Sequence, residues 1–183
     1  MCEVYPLSDD AIELFVAHLK KRNFPPRTII IEGGKVNHSV YFIEKGVTRS
    51  YSLFDGKEVT SWFSKEGDMA YSSFSLCRNQ AGFEYVETLE NVEAYYMTIQ
   101  ELNELYTQHI DIANWMRVQQ QEIFLFLQDI HIARLYMSAS ERYQMLLNVF
   151  PDICNRVNLG YIASFLGITQ PSLSRIRASR DTF

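Results

Sequence analysis

Residues 157–180 read VNLGYIASFLGITQPSLSRIRASR, and this stretch decides how the C-terminal part of the chain folds. Gly167 falls between two short segments of apolar pattern and can adopt the positive φ that often ends a helix. Thr169 is a typical N-cap residue, and Pro171 is tolerated in a first helical turn, where its missing N–H does no harm. The small Ala163 lets two helices cross closely. The stretch therefore predicts two helices joined by a tight turn, a helix-turn-helix.

Apolar residues at helical spacing would hold the two helices together. They are Leu159, Ile162, Leu166 and Ile168 in the first helix and turn, and Leu173 and Ile176 in the second helix. The polar side chains that remain outward could reach phosphates and base edges in a major groove. We expect the DNA-binding residues to be Thr169, Gln170, Ser172, Ser174, Arg175, Arg177 and Arg180. The alternative is a helical hairpin that only closes the core of an all-α domain.

The distribution of charge favours contact with nucleic acid. Residues 156–183 contain four arginines and one aspartate, a net charge of +3, whereas the other 155 residues carry −8. An acidic protein repels DNA over most of its surface, so contact is expected only at the basic C-terminal tip.

Composition and length describe an ordinary globular protein. The chain has 183 residues, of which 47% are hydrophobic and 21% charged, enough for one moderate core and a small second one. It has no run of 18 apolar residues, and its N-terminus lacks the basic-then-apolar order of a signal peptide, so we expect no membrane association and a cytoplasmic location. Cys2, Cys77 and Cys154 are too far apart to form a disulfide framework or a metal knuckle, and we expect reduced thiols.

The first half of the chain changes from helix to strand. Residues 8–20 predict a short amphipathic helix behind a capping Ser8. After two prolines the pattern becomes β, and Asp55-Gly56 is a strong hairpin signal. Short strands are predicted at 27–32, 39–44, 47–54, 57–63, 83–88 and 92–98. Gly67 and Gly82 punctuate two further segments, and a total of seven or eight short strands indicates a closed or nearly closed antiparallel barrel.

Residues 111–137 contain neither Gly nor Pro and predict a long helix. Apolar residues recur at alternating spacings of four and three, as in a coiled coil, interrupted only by Gln119. We expect a dimer seam at Ile112, Met116, Ile123, Phe126, Ile130, Ala133 and Met137. A second apolar set, which would pack on the barrel, comprises Trp115, Phe124, Leu127 and Leu135. The alternative is that the barrel of the same chain buries the seam.

A barrel, a long helix and a C-terminal helix-turn-helix, in that order, resemble the Crp/Fnr transcription regulators. The stretches that resemble the family are ASERY at 139–143, IASFLGIT at 162–169 and LSRIR at 173–177, in a form common among Bacteroidetes-type members. The resemblance implies an α+β fold with three parts: a jelly-roll barrel of the cyclic-nucleotide-binding type at 1–98, connecting and dimerisation helices at 99–137, and a DNA-binding domain at 138–183. It also implies that Arg175 is the recognition-helix arginine that points at guanine. The link between Phe150 and Val157 is too short for the usual β wing, so the DNA-binding domain looks reduced.

The phosphate cassette departs from the pattern of relatives that bind cyclic AMP. In those relatives a Gly-Glu pair receives the ribose, and an Arg-Ser or Arg-Thr pair receives the cyclic phosphate. Here the cassette begins at 67–70 as GDMA, but Tyr71-Ser72 follow where Gly-Glu should stand, and no Arg precedes a Ser or Thr around 82–85. A buried phosphodiester without a guanidinium would lose its charge-assisted hydrogen bonds, so we expect no response to cyclic AMP.

Other polar and aromatic side chains of this segment could line a pocket for a different effector. This candidate set comprises Tyr71, Ser72, Ser73, Arg78, Glu84 and Tyr85. The alternative is that the aromatics fill the core and the hydroxyls satisfy local backbone groups, because 23 Tyr and Phe residues make chance clusters common. The barrel would then have no ligand.

The remaining functional classes find little support. An iron–sulfur sensor needs four cysteines, and no ligand context surrounds His18, His38, His109 or His131 as a haem sensor would require. No nucleophile elbow or phosphate loop occurs, and a cupin-like enzyme would need several histidines and a carboxylate around a metal. We therefore expect a non-enzymatic regulator without metal or cofactor. Its expected partners are double-stranded DNA and a second copy, with an unknown effector and RNA polymerase as possible further partners. The alternatives left open are a cupin-like enzyme, a ligand-binding protein that does not bind DNA, and a protein-interaction module.

Overall fold

The computed structural model describes residues 5–180, except for the side chain of Arg180. The N-terminal part contains helix α1 (Asp9–Ala17) and strands β1 (Lys20–Phe24), β2 (Ile29–Ile31), β3 (Ser39–Lys45), β4 (Thr48–Phe54), β5 (Lys57–Ser64) and β6 (Met69–Ala70), then α2 (Ser73–Arg78), β7 (Glu84–Thr88) and β8 (Val92–Thr98). The C-terminal part is helical: α3 (Ile99–Gln108), α4 (Ile110–Tyr136), α5 (Ala139–Val149), α6 (Ile153–Arg156), α7 (Leu159–Leu166) and α8 (Gln170–Arg180). The predicted α+β fold is confirmed.

The eight strands of the described residues form two antiparallel sheets of four. Their orders are β1-β8-β3-β6 and β2-β7-β4-β5. The predicted hairpin joins β4 to β5, and both Asp55 and Gly56 have positive φ, 53° and 72°, as a tight two-residue turn requires. One apolar cluster lies among strands of both sheets, around Ile31, Tyr41 and Val86.

Four short elements, β1, β6, α2 and α6, were not predicted from the sequence. The first helix ends at Ala17, and residues 20–24 form β1 instead of continuing it. Four of the five β1 residues are exposed and do not alternate, so pairing with β8 alone makes this segment a strand. Strand β6 and helix α2 are likewise too short to leave a periodic signal. Ser8 does not cap α1 through its side chain, because its Oγ donates to Asp111 Oδ2 at 2.8 Å.

Helix α4 is continuous over 27 residues, about 40 Å at 1.5 Å per residue. The structure contradicts the predicted dimer seam at Ile112, Met116 and Ala133, which are buried within one chain. Ile112 and Met116 are buried in the cluster that contains Phe15, Val40 and Leu105, and Ala133 is also buried. Phe126 packs edge-to-face on Trp62 of β5, and Ile130 packs on the C-terminal core. Ile123 is half-buried, and only Met137, at the end of the seam, is exposed.

The second apolar set was also misassigned, except for Trp115, which is 2% exposed against Phe15 and Phe42. Phe124, Leu127 and Leu135 do not pack on the barrel and are 59%, 48% and 62% exposed. The reason is geometric: the barrel lies on one side of α4 and the C-terminal helices cover the same side further along. Periodicity alone does not say which of two apolar faces meets them.

The C-terminal helices form the predicted helix-turn-helix. Gly167 ends α7 with a φ of 68°, and Leu173 of α8 is fully buried beside Ile162 and Ala163. The ASERY stretch has a physical role here. Ser138 and Glu141 form a capping box at the start of α5, and Arg142 Nη2 donates to Leu166 O at the end of α7 at 3.1 Å.

None of the helices within residues 5–180 is long and apolar enough to cross a membrane.

Candidate nucleic-acid interface and effector region

Helix α8 presents a polar face because its apolar residues are used by the hairpin core. Leu173 is fully buried and Ile176 is half-buried against the same core. The side chains of Gln170, Ser174 and Arg175 are exposed. The predicted division of this helix into a core-facing and an outward-facing side therefore agrees with the structure.

Two of the predicted DNA-binding residues are engaged in capping α8. Ser172 N donates to Thr169 Oγ1 at 3.3 Å, and the two hydroxyl oxygens lie 2.9 Å apart in a hydrogen bond. This arrangement satisfies the first turn of the helix. Thr169 is exposed, whereas Ser172 and Arg177 are half-buried, and the side chain of Arg180 lies outside the described part of the structure. Arg175 Nε donates weakly to Pro171 O at 3.4 Å, so its guanidinium lies along its own helix.

Arg156 does not belong to the basic tip, although the charge count included it. Its guanidinium forms a bidentate pair with Glu66, at 2.9 Å from Nη1 to Oε2 and 2.7 Å from Nη2 to Oε1, and it also pairs with Glu90. The hydrogen bonds from Arg156 lower the pKa of Glu66 to about 2. Both carboxylates belong to the barrel side of the molecule, so Arg156 joins the C-terminal helices to the barrel and is not part of the exposed face of α8.

A buried arginine makes a second connection between the barrel and the C-terminal helices. Arg49 of β4 is 1% exposed, its Nη2 lies 2.7 Å from Glu87 Oε1, and it also pairs with Glu58. Its guanidinium carbon lies 3.6 Å from the ring centroid of Tyr161 in α7 and 4.2 Å from that of Tyr51. Burial raises the pKa of Glu87, an effect that the charge of Arg49 opposes. Helix α7 therefore packs on the buried guanidinium of Arg49, whose charge is balanced by Glu58 and Glu87.

Strand β5 and helix α7 also share hydrogen bonds. Thr60 N donates to Ser164 Oγ at 3.0 Å, and Ser164 Oγ donates to Glu58 O at 3.4 Å. Phe63 of β5 packs on Phe165 with ring centroids 5.6 Å apart. Sequence reasoning did not identify this contact surface. An arginine in a strand, directly opposite Glu87, is the one signal that could have indicated it.

The candidate effector residues do not converge on one pocket. Ser72, Ser73 and Glu84 come together at the start of α2, where Ser72 is the N-cap and Ser73 N donates to Glu84 Oε1 at 3.1 Å. Gly82 is packed between them, because a Cβ at that position would lie 2.4 Å from Glu84 Oε2 and 2.8 Å from Ser72 Oγ. A carboxylate of the chain itself thus occupies the first turn of α2.

The other three candidates point elsewhere. Tyr71 Oη accepts a hydrogen bond from Gln120 Nε2 of α4 at 2.9 Å. Tyr85 stacks on Tyr51 at 5.3 Å between ring centroids. The exposed Arg78 lies over the ring of Phe74, with 5.8 Å between its guanidinium carbon and the centroid. The part of the chain that the structure describes contains no group of three or more His, Cys, Asp or Glu side chains arranged to hold a metal.

Residues 21–109 match the protein family described as "Cyclic nucleotide-binding domain". Over this range the chain is similar to that domain. The matched range includes barrel strands, the short helix α2 and helix α3. No curated protein matches the chain in sequence.

Three solved structures of bacterial proteins resemble most of the chain. FixK2 from Bradyrhizobium japonicum has a TM-score of 0.74 at 18% identity, covering 90% of this chain and 85% of its own. A protein from Eubacterium rectale, described as a transcriptional regulator of the Crp/Fnr family, has a TM-score of 0.73 at 18% identity. The match covers 96% of this chain and 84% of that protein. CLP of Xanthomonas campestris, described as a c-di-GMP-responsive global regulator, has a TM-score of 0.71 at 15% identity. The match covers 96% of this chain and 92% of CLP. At these identities the similarity establishes the fold alone: the barrel and the helices that follow it have the Crp/Fnr fold.

Proposed function

We propose that this protein is a sequence-specific, DNA-binding transcription regulator that acts as a homodimer and does not respond to cyclic AMP. The observation that carries the proposal is the outward face of α8, where Gln170, Ser174 and Arg175 are exposed above a fully buried Leu173. The Crp/Fnr fold of the whole chain supports the same role.

The exposed side chains of α8 have the chemistry for reading bases. An arginine can donate two hydrogen bonds to O6 and N7 of guanine, and a glutamine can pair with N6 and N7 of adenine. We assign these roles to Arg175 and Gln170, and phosphate contacts to Arg177 and Arg180. Because Arg156 is paired with Glu66, the basic surface is smaller than the charge count suggests, and contact is confined to α8.

The second copy is expected to bind on the exposed side of α4. Opposite the predicted seam, side chains at alternating spacings of three and four form what we call the outer stripe: Val118, Gln121, Leu125, Gln128, Ile132 and Leu135. Leu125 and Ile132 are 52% and 50% exposed, and this spacing is the knobs-into-holes pattern of a two-stranded coiled coil. A second α4 packed here would bury the stripe, and the two-fold symmetry predicts a palindromic operator.

The lack of response to cyclic AMP follows from Glu84. Where relatives that bind cyclic AMP are expected to offer a cation to the cyclic phosphate, this chain places a carboxylate that already accepts a hydrogen bond from Ser73 N. A phosphodiester brought to this position would meet a like charge without a guanidinium to compensate for it.

A band-shift assay with fragments selected from genomic DNA by the purified protein tests DNA recognition. Arg175→Ala should lose preference for the selected operator over a scrambled duplex, by about 1–3 kcal/mol, and keep weak, salt-sensitive binding to both. Arg177→Ala should weaken binding to both duplexes alike and reduce the salt slope by about one unit. Arg22→Ala, an exposed arginine of β1, is the matched control and should change neither. Unchanged specificity in Arg175→Ala would show that α8 does not read bases.

Calorimetric titration tests the absence of cyclic nucleotide binding. Neither cyclic AMP nor cyclic GMP should bind the wild-type protein with micromolar affinity, because Glu84 repels the phosphodiester. Micromolar affinity for either nucleotide would refute this part of the proposal.

A further inference from the structure

A cleft lies outside the two sheets, where helices α2, α3 and α4 meet. Its volume is about 330 Å³, within the size range of small-molecule sites. It is lined by Leu76, Cys77, Asn103, Tyr106, Ala113, Met116, Arg117 and Gln120. Apolar and aromatic surface forms its walls, and the amides of Asn103 and Gln120, the guanidinium of Arg117 and the phenol of Tyr106 can donate hydrogen bonds along it. None of these residues belongs to the six effector candidates suggested by the sequence.

Arg117 is a cation without a carboxylate partner among residues 5–180. Its Nη1 donates to Gln121 Oε1 at 2.9 Å and its Nε donates to Asn114 Oδ1 at 3.4 Å, both on its own helix. These neutral contacts orient the guanidinium and leave donors free. A planar guanidinium matches a carboxylate in a bidentate pair, the strongest common recognition of that group.

Gln120 is held in place at the other side of the cleft. Its Nε2 donates to Tyr71 Oη at 2.9 Å, which links the segment between β6 and α2 to α4. Burial raises the pKa of both Tyr71 and Tyr106, so both phenols stay neutral hydrogen-bonding groups at physiological pH. The cleft therefore has one amide fixed by Tyr71, the neutral phenol of Tyr106 and one cation, Arg117.

We propose that this cleft binds a small organic monocarboxylate with an apolar body, such as a medium-chain or single-ring acid, as an effector. The acid group pairs with Arg117, and the body lies against Leu76, Tyr106 and Met116. A phosphate ester is disfavoured because its second charge would find no further cation among the lining residues. The bound acid would bridge α2 and the first half of α4, the helix that carries the outer stripe.

The exposed thiol of Cys77 lines the cleft and provides a direct readout that needs no DNA. In full-length protein carrying Cys2→Ser and Cys154→Ser, the rate of Cys77 alkylation by iodoacetamide is measured by mass spectrometry. The probes are octanoate and 4-phenylbutyrate, each compared with its uncharged counterpart, octanol or 4-phenylbutanol. At 1 mM, an acid should slow alkylation by at least about threefold, which corresponds to a dissociation constant at or below about 0.5 mM.

Two variants distinguish recognition of the acid group from general apolar binding. Arg117→Gln should lose the protection, because it removes the charge and keeps a side chain of similar length. The matched control Arg175→Gln, on α8, should keep it. The inference fails if neither acid slows alkylation, if the alcohols protect as well as the acids, or if Arg117→Gln is protected like the parent protein. Because the assay contains no DNA, these outcomes are independent of whether the protein binds an operator.

Discussion

The second half of α4 is richer in apolar residues than the first, and the two halves have different surroundings. In the first half, Ile112, Trp115 and Met116 are buried by the barrel and by α1 and α3. In the second half, Phe124, Leu125 and Ile132 are about half exposed or more, and Tyr136 is 82% exposed. One side of the second half is covered by Trp62 and the C-terminal helices, while the opposite side has no cover from the described residues. The first half thus belongs to the core of one chain, and we infer that the second half meets a partner.

The largest effect is expected from charges on the outer stripe. Leu125→Glu with Ile132→Glu would bury four carboxylates in a symmetric dimer, at about 3 kcal/mol or more for each unpaired charge. The dissociation constant should rise at least about 1,000-fold, and sedimentation velocity should show monomers. The control Val16→Glu, at an exposed apolar position of α1, should remain dimeric. A double variant that sediments as a dimer with native circular dichroism would place the interface elsewhere.

A smaller but clear effect is expected from the buried half. Trp115→Ala removes a ring that is in edge contact with Phe15 and should lower the free energy of unfolding by about 3–5 kcal/mol. Leu135→Ala, on the exposed half, should cost less than about 1 kcal/mol within one protomer. Urea denaturation of both variants in the monomeric Leu125→Glu, Ile132→Glu background measures the difference. Equal losses of unfolding free energy in the two variants would mean that the two halves of α4 contribute equally to the core of one chain.

The smallest effect concerns the ion pair between Arg156 and Glu66, which joins helix α6 to the barrel side of the molecule. Glu66→Gln breaks the bidentate pair with Arg156 and should cost about 0.5 kcal/mol at pH 7, because the pair is partly solvated. The pKa of Glu66 is lowered to about 2 in the folded protein, so its contribution is complete above the unfolded value near 4.5 and is lost as the pH falls towards 2. The difference between wild type and Glu66→Gln should therefore vanish in acid. A difference that stays constant as the pH falls from 7 towards 2 would show that it does not come from the ionised pair.

Most elements of this fold leave a local signal in the sequence. Gly167, Thr169 and Pro171 determined the helix-turn-helix because the conformational limits of these residue types act within a few positions. Asp55-Gly56 determined the β4–β5 hairpin in the same way. The sequence also shows Tyr71-Ser72 where relatives that bind cyclic AMP carry Gly-Glu, because this difference depends on residue identity alone.

Tertiary structure decided what depends on neighbours distant in sequence. It made 20–24 a strand by pairing it with β8, it turned the apolar stripe of Ile112 and Met116 inward, and it took Arg156 out of the basic tip by pairing it with Glu66. A periodic pattern reports that a face is apolar, and a charge count reports that a cation is present. Neither reports what lies opposite, because burial and ion pairing are properties of two surfaces and each stretch of sequence describes only one.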